Sequence, residues 1–249
     1  PRYLSSAASD VYKRQEAVYV EKPLALDMQS ITDIEESIYR TENPKLFIGF
    51  NRRFSKSAQF IKQKLINSPA NSINLRFSVP PLDSDHWTNI KEIGGGRIVG
   101  EAVHGIDLAC YLFDSLPQSI SASAPVDKTN NMVKDNQVFL NINFANGSHA
   151  SLQYFSEANQ ILSKERIEVH GEGNSYILED FKMLRFLEGS QDRSKTFSTG
   201  KGHKESLSIF FDYVRDKSQN PFTWEEIKAV SKAAIIAQDH INSGQQHNV

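Results

Sequence analysis

Two side chains stand where their types and spacing could do chemistry. The first is Lys22. Ala17-Val18-Tyr19-Val20 is a short β-branched and aromatic run closed by Glu21-Lys22-Pro23, the pattern of a buried strand that stops at a turn. An amine there lies at the carboxyl edge of a strand, where open α/β sheets bind ligands, although the position also suits a lysine that merely solvates a turn. The second is His104. From Ile98 onward Val99, Ala102, Val103, Ile106, Cys110 and Phe113 recur at intervals of three and four, which predicts a helix with one buried face. Glu101, His104, Asp107 and Tyr111 share the neighbouring stripe, so one flank of that helix is ionisable and could line a cleft. An imidazole titrates near neutrality and suits proton transfer. Its plain alternative is a helix histidine bonded to a backbone carbonyl.

Glycines lead into this helix. Gly94-x-Gly96-x-x-x-Gly100 looks like a phosphate-binding loop, but such a loop follows a hydrophobic strand, and His86-Trp87-Thr88-Asn89-Ile90-Lys91-Glu92-Ile93 is not one. The glycines instead predict a flexible entry that lets a helix start approach a ligand closely. Two further groups are candidates for a cleft. Asn51-Arg52-Arg53-Phe54 follows a strand end, and its arginines could grip a carboxylate or phosphate or be paired on the surface. Segment 82–93 carries Asp83, Asp85, His86 and Trp87, groups able to touch a polyhydroxylated ligand. The remaining histidines fall at no metal-ligand spacing, and with one cysteine no metal site is expected.

The elements that must hold these groups read as follows. Strand 17–20, a helix capped by Asp27 and running to about Arg40 with Ile31, Ile34, Ile38 and Met28 inward, and strand Leu46–Phe50 make a βαβ unit with a parallel pair. Ser55 caps a helix to about Ile66, and 72–79 alternates as a strand. After the central helix, strands dominate. Val138 to Phe144 and Ala150 to Tyr154 flank Asn146-Gly147, read as a two-residue hairpin turn; Ile167 to Val169 and Tyr176 to Leu178 flank Gly171-Glu172-Gly173-Asn174. With 120–124 and 184–187 these predict a largely antiparallel sheet with one solvated face. Leu207, Phe210, Phe211 and Val214 mark a helix; the last helix opens at the capping box Thr223-Trp224-Glu225-Glu226, buries Ile227, Val230, Ala234 and Ala237, and ends near Gly244.

Composition narrows the function. With 249 residues, 39% hydrophobic and 23% charged, the chain can build one or two domains with a sizeable core. A net charge of -2 without like-charge runs gives no field for nucleic acid or anionic lipid. No apolar segment reaches the length of a membrane span and no start resembles a signal peptide, so a soluble, cytoplasmic protein is expected. Residues 1–15 show no periodicity, and Ser6-Ala7-Ala8-Ser9-Asp10-Val11-Tyr12-Lys13-Arg14-Gln15 is similar to translated sequencing-adaptor sequence; they read as a non-native or disordered leader.

Val20-Glu21-Lys22-Pro23, Gly49-Phe50-Asn51-Arg52-Arg53-Phe54, Gly94-Gly95-Gly96 with His104-Gly105-Ile106-Asp107, and Glu168-Val169-His170-Gly171-Glu172-Gly173 occur in that order. As a set over residues 16–243 they resemble the Gfo/Idh/MocA oxidoreductases, the glucose-fructose oxidoreductase and inositol dehydrogenase family. The resemblance implies a Rossmann domain binding NAD or NADP, then an α/β domain whose open, mainly antiparallel sheet covers the substrate and often forms the oligomer interface. On this reading residues 16–54 are the last βαβ of a Rossmann domain, and 55–249 are an α+β substrate-binding and oligomerisation domain with a large sheet packed on helices. The GxGxxG loop and upstream strands of the family are absent from the sequence, so the chain reads as a truncated piece.

The resemblance implies catalytic roles for Lys22 and His104, with Glu21, Lys22 and Pro23 against the cofactor and Asn51, Arg52, Trp87, Glu101 and Asp107 toward a sugar, cyclitol or related polyol. Oxidising a secondary alcohol requires removal of the O–H proton as the hydride leaves, and a lysine drawn out of water beside a cationic ring can do this near neutral pH. Many members carry Asp four residues before the histidine, where this chain has Gly100. Glu101 is adjacent but rotated by about 100° on an α-helix. A non-catalytic sugar-binding or dimerisation module of the same fold is the alternative.

Overall fold

A computed structural model of the chain describes residues 17–42, 44–81, 91–125, 136–198 and 200–243. The leader, Trp87 and the end at Gly244 lie outside them. Strand β1 (Val18–Val20), helix α1 (Met28–Tyr39) and strand β2 (Leu46–Ile48) form the expected βαβ unit, and β1 and β2 pair in parallel with Tyr19 opposite Phe47. Asp27 caps α1 by accepting from the Ser30 amide at 2.8 Å, as its short side chain at a helix start allows. Ile31 is buried, whereas Met28 is exposed, because the helix turns its first residue to solvent. A 3₁₀ turn (Asn51–Phe54) then leads to Ser55, which accepts from the Ala58 amide and starts α2 (Lys56–Leu65).

The rest is built on one eight-stranded sheet. Its strands are β3 (Ser72–Ser78), β4 (Pro117–Ser123), β5 (Gln137–Phe144), β6 (His149–Phe155), β7 (Glu165–Gly171), β8 (Asn174–Glu179), β9 (Met183–Glu188) and β10 (Gln191–Thr196), in the order β10-β9-β8-β7-β3-β6-β5-β4. Every pair is antiparallel except β3 with β6. One face is packed: Ile73, Leu75 and Phe77 of β3 and Ala150, Leu152 and Tyr154 of β6 are buried at alternate positions. A short helix α3 (Lys91–Gly94) precedes α4 (Val103–Phe113); α4 and α6 (Trp224–Ser243) pack on the sheet, with α5 (His203–Val214) beside the 3₁₀ turn. Helix α4 lies so close to the sheet that a Cβ on Gly105 would stand 2.2 Å from Leu152.

The hairpin turns exchange the roles that their sequences suggest. Asn143 pairs with His149, the Phe144 amide donates to the Ser148 carbonyl, and of the turn residues Gly147 alone is left-handed at φ +85°, so Asn146-Gly147 sits in a longer connection rather than a two-residue turn. The two-residue turn is Glu172-Gly173, both at positive φ, between Gly171 and Asn174. Strand β10 is uniformly exposed and polar, an edge strand with no hydrophobic alternation to announce it. In α5, Leu207 and Phe211 are exposed, and the buried side runs through Ser206, Ile209 and Phe210. The capping box of α6 forms in both directions, Glu226 accepting from the Thr223 amide at 2.9 Å and Thr223 Oγ1 accepting from the Glu226 amide at 3.1 Å. No helix among the described residues is long and apolar enough to cross a membrane.

Candidate active site

The entry to the central helix is a packed turn. Gly95 and Gly96 have φ of +71° and +92°, and a Cβ on Gly96 would stand 2.4 Å from Gln238 of α6. Gln238 Oε1 accepts from the Ile98 amide at 3.1 Å, so the first helical N–H is satisfied inside the protein and the glycines serve close packing rather than a flexible approach to a ligand. Ile98–Ala102 then form a π turn, in which the Val103 amide donates to the Ile98 carbonyl five residues back. Such turns change the angle between successive side chains relative to an α-helix.

That change decides where Glu101 goes. The Lys22 ammonium, at the end of β1, donates to Glu101 Oε1 at 2.9 Å and to the Gly100 carbonyl at 2.6 Å. Gly100 has no room for an acidic side chain, since a Cβ there would stand 2.9 Å from the Gly94 carbonyl. The acid therefore sits one residue later, and the widened turn brings it to the lysine. Glu21, on the other side of Lys22, lies over Gly49, where a Cβ would stand 2.6 Å from Glu21 Oε2.

His104 lies one turn beyond Gly100, and helix side chains lean toward the preceding turn. Its ring is buried and packs edge-on to Phe50 at 6.3 Å, and Nδ1 has no hydrogen-bond partner among the described residues. Burial, and then the charges of Arg52, Lys22 and Lys201, hold its imidazole well below the usual histidine range and so favour the neutral ring. Lys22 is thus held at the Gly100 carbonyl, four residues before His104, and its charge acts on the imidazole.

Arg52 and Arg53 leave the 3₁₀ turn in different directions. Arg52 lies over the Phe77 ring and donates from Nε and Nη2 to Glu165 at 2.8 Å each; Lys201 donates to the same carboxylate. Burial raises the Glu165 carboxyl, but the two cations outweigh it and hold it down at about 2. Arg53 grips Asp107 through Nε at 3.2 Å and Nη2 at 2.5 Å, with Phe222 against its guanidinium. Asp107 is 1% exposed and committed to that pair. Asn51 is buried and donates from Nδ2 to the Lys201 carbonyl at 2.7 Å, fixing the loop that presents Lys201.

Residues 69–177 match the family described as the GFO/IDH/MocA C-terminal domain. The chain is 26% identical over 211 residues to an inositol 2-dehydrogenase of Rhizobium meliloti, covering 73% of this chain and 62% of that protein. It is 23% identical over 241 residues to a myo-inositol 2-dehydrogenase of Thermotoga maritima, covering 94% of this chain and 66% of that protein. These matches point to the Gfo/Idh/MocA oxidoreductases. The chain spans less than two thirds of the length of these curated relatives. An aldose-aldose oxidoreductase of Caulobacter crescentus shares the fold at TM-score 0.81 and 15% identity, covering 98% of this chain and 76% of that one.

The structure joins Lys22 to Glu101 and the Gly100 carbonyl, links Arg52 with Lys201 through Glu165 and Asn51 with the Lys201 carbonyl, and commits Asp107 to Arg53 in the core. Trp87 lies outside the described residues. Sequence reasoning missed Glu165, Lys201 and Tyr154. Glu165 had a signal: it shares strand parity with Ile167 and Val169, and a carboxylate at a core-facing position needs a partner. Tyr154 stands among Glu101, Arg97 and Glu165, and burial pushes its hydroxyl up to about 12. Among the described residues no cluster of His, Cys, Asp and Glu could hold a metal.

Proposed function

We propose that the protein is part of an NAD(P)-dependent oxidoreductase that moves a hydride between a nicotinamide cofactor and a secondary hydroxyl of a sugar, cyclitol or related polyol. One observation carries this reading: Lys22 and the buried Nδ1 of His104, which has no hydrogen-bond partner among the described residues, flank the same π turn. Two curated relatives named as inositol dehydrogenases support it.

The residues present fit a dinucleotide. Lys22 and Asn51 follow the carboxyl ends of two parallel strands, the edge where such sheets bind ligands. A two-stranded parallel pair is also too small to stand as a sheet, since parallel sheets are larger and covered on both faces. We therefore read residues 16–54 as the margin of a dinucleotide-binding domain and 55–249 as the substrate and oligomerisation domain, its open sheet face offering the surface for a second copy. Glu21, Lys22 and Pro23 would lie against the nicotinamide end. When bound, the cofactor supplies the hydride acceptor.

The protein supplies the proton path and the grip. Glu101 holds the Lys22 ammonium in place, and the His104 imidazole takes the hydroxyl proton as the hydride leaves. Asn51 and Arg52 shape the substrate side, Trp87 is proposed to join them, and Asp107 acts at a distance by anchoring α4 to Arg53. The test is reduction of NAD or NADP by a panel of sugars and cyclitols, run on the intact gene product. Lys22→Met and His104→Gln should each lower kcat by about 10²–10⁴-fold, the usual worth of a positioned acid or base. Unchanged turnover in both variants would overturn the reading, and failure of the intact protein to bind either cofactor would favour a non-catalytic module.

A further inference from the structure

Arg52, Glu165 and Lys201 carry two positive charges on one carboxylate. The site is deep: Arg52 is 7% exposed and Glu165 2%. An uncompensated charge held out of water is unfavourable unless a counter-charge arrives. The arrangement is also built rather than incidental. Asn51 Nδ2 holds the Lys201 carbonyl, and Gly202 lies against the Asn51 carbonyl at a place where a Cβ would stand 2.4 Å away. Phe77 supports the guanidinium from below at 5.3 Å.

The hydrogen-bond geometry leaves donors over. Arg52 spends its Nε and Nη2 edge on Glu165, so its Nη1 edge turns away from that carboxylate and makes no hydrogen bond among the described residues. Lys201 uses one of its three donors on Glu165, and its side chain remains 26% exposed at the margin of the cluster. The surplus charge reaches the reaction site, since Arg52 and Lys201 both act on the His104 imidazole.

We propose that Arg52 and Lys201, backed by Glu165, form an anion subsite, so that the polyol bound beside His104 carries a carboxylate or phosphate group. This rests on the polyol reading above and narrows it. Glu165 keeps the two cations apart and aligned, and the incoming oxyanion takes the Nη1 edge and the remaining ammonium donors as charge-assisted hydrogen bonds.

Isothermal titration calorimetry of the whole chain with D-glucuronate, D-glucose 6-phosphate, D-glucose and myo-inositol tests this. At least one anionic ligand should bind ten-fold or more tightly than D-glucose, and the tighter of the two identifies carboxylate or phosphate. The advantage should vanish in Lys201→Met and persist in Lys201→Arg. Equal binding of neutral and anionic ligands, or a preference that survives Lys201→Met, overturns the anion subsite and leaves the polyol reading standing. Binding of none of the four overturns both.

Discussion

Arg52 and Arg53 are neighbours on one 3₁₀ turn, both buried, both gripping a carboxylate through Nε and Nη2, and they do different work. Arg53 faces inward between Phe222, Tyr111 and Asp107, and its Nη1 reaches Glu226 at 3.4 Å. Arg52 shares its carboxylate with Lys201, whose side chain is partly exposed. The carboxylates record the difference. Burial pushes Asp107 up to about 6 against a single guanidinium, whereas two cations hold Glu165 at about 2 despite comparable burial. A closed ion pair locks geometry at an energetic penalty; an open one with a surplus cation can serve a ligand.

The largest effect expected from this contrast is on stability. Arg53→Met strands Asp107 in the core and should lower the unfolding free energy by roughly 3–5 kcal/mol in denaturant titration at neutral pH, the range for breaking a buried pair. Arg52→Met leaves Lys201 on Glu165 and should take away about 1–3 kcal/mol, as for one lost charge-assisted partner. Equal losses would erase the distinction.

The pH dependence should differ in sign. Glu165 has a folded value below its ordinary 4.5, so its contribution is present above about pH 4.5 and is lost as pH falls toward 2, a change of roughly 3 kcal/mol. Asp107 has a folded value above its ordinary 3.8, so its protonation favours the fold and that gain is given up as pH rises through 6. Acid unfolding followed by circular dichroism should therefore show the loss below pH 4.5 in the wild type and a flatter curve in Glu165→Gln. A curve unaltered by that substitution would assign the acid loss elsewhere.

Much of the frame was legible because it depends on local rules. Asp27, Ser55 and the Thr223-Glu226 box cap helices through contacts three residues apart, and the alternation of Val138 to Phe144 and Ala150 to Tyr154 names the buried sheet face. Lys22 and His104 could be singled out by their places at a strand end and on a helix flank. What stayed hidden depends on tertiary packing. The π turn that delivers Glu101 to Lys22 follows from Gly100 meeting the Gly94 carbonyl and from Gln238 meeting the Ile98 amide, contacts with no periodicity to betray them. Glu165 lies 113 positions from Arg52, and β10 carries no apolar pattern at all. The arginine pair shows the same limit: residue type announces charge, while only the fold decides which of two adjacent guanidinium groups is walled in.

The account stands on Lys22 and His104 sharing one hollow, and an NMR titration of the His104 imidazole, assigned by its absence in His104→Gln, tests this most directly. The imidazole should stay neutral to well below pH 6.5 in the wild type, and Lys22→Met should move its titration upward as a neighbouring positive charge is removed. An ordinary titration near 6.5 in the wild type, or one indifferent to Lys22→Met, would place the two groups in separate environments and contradict the account.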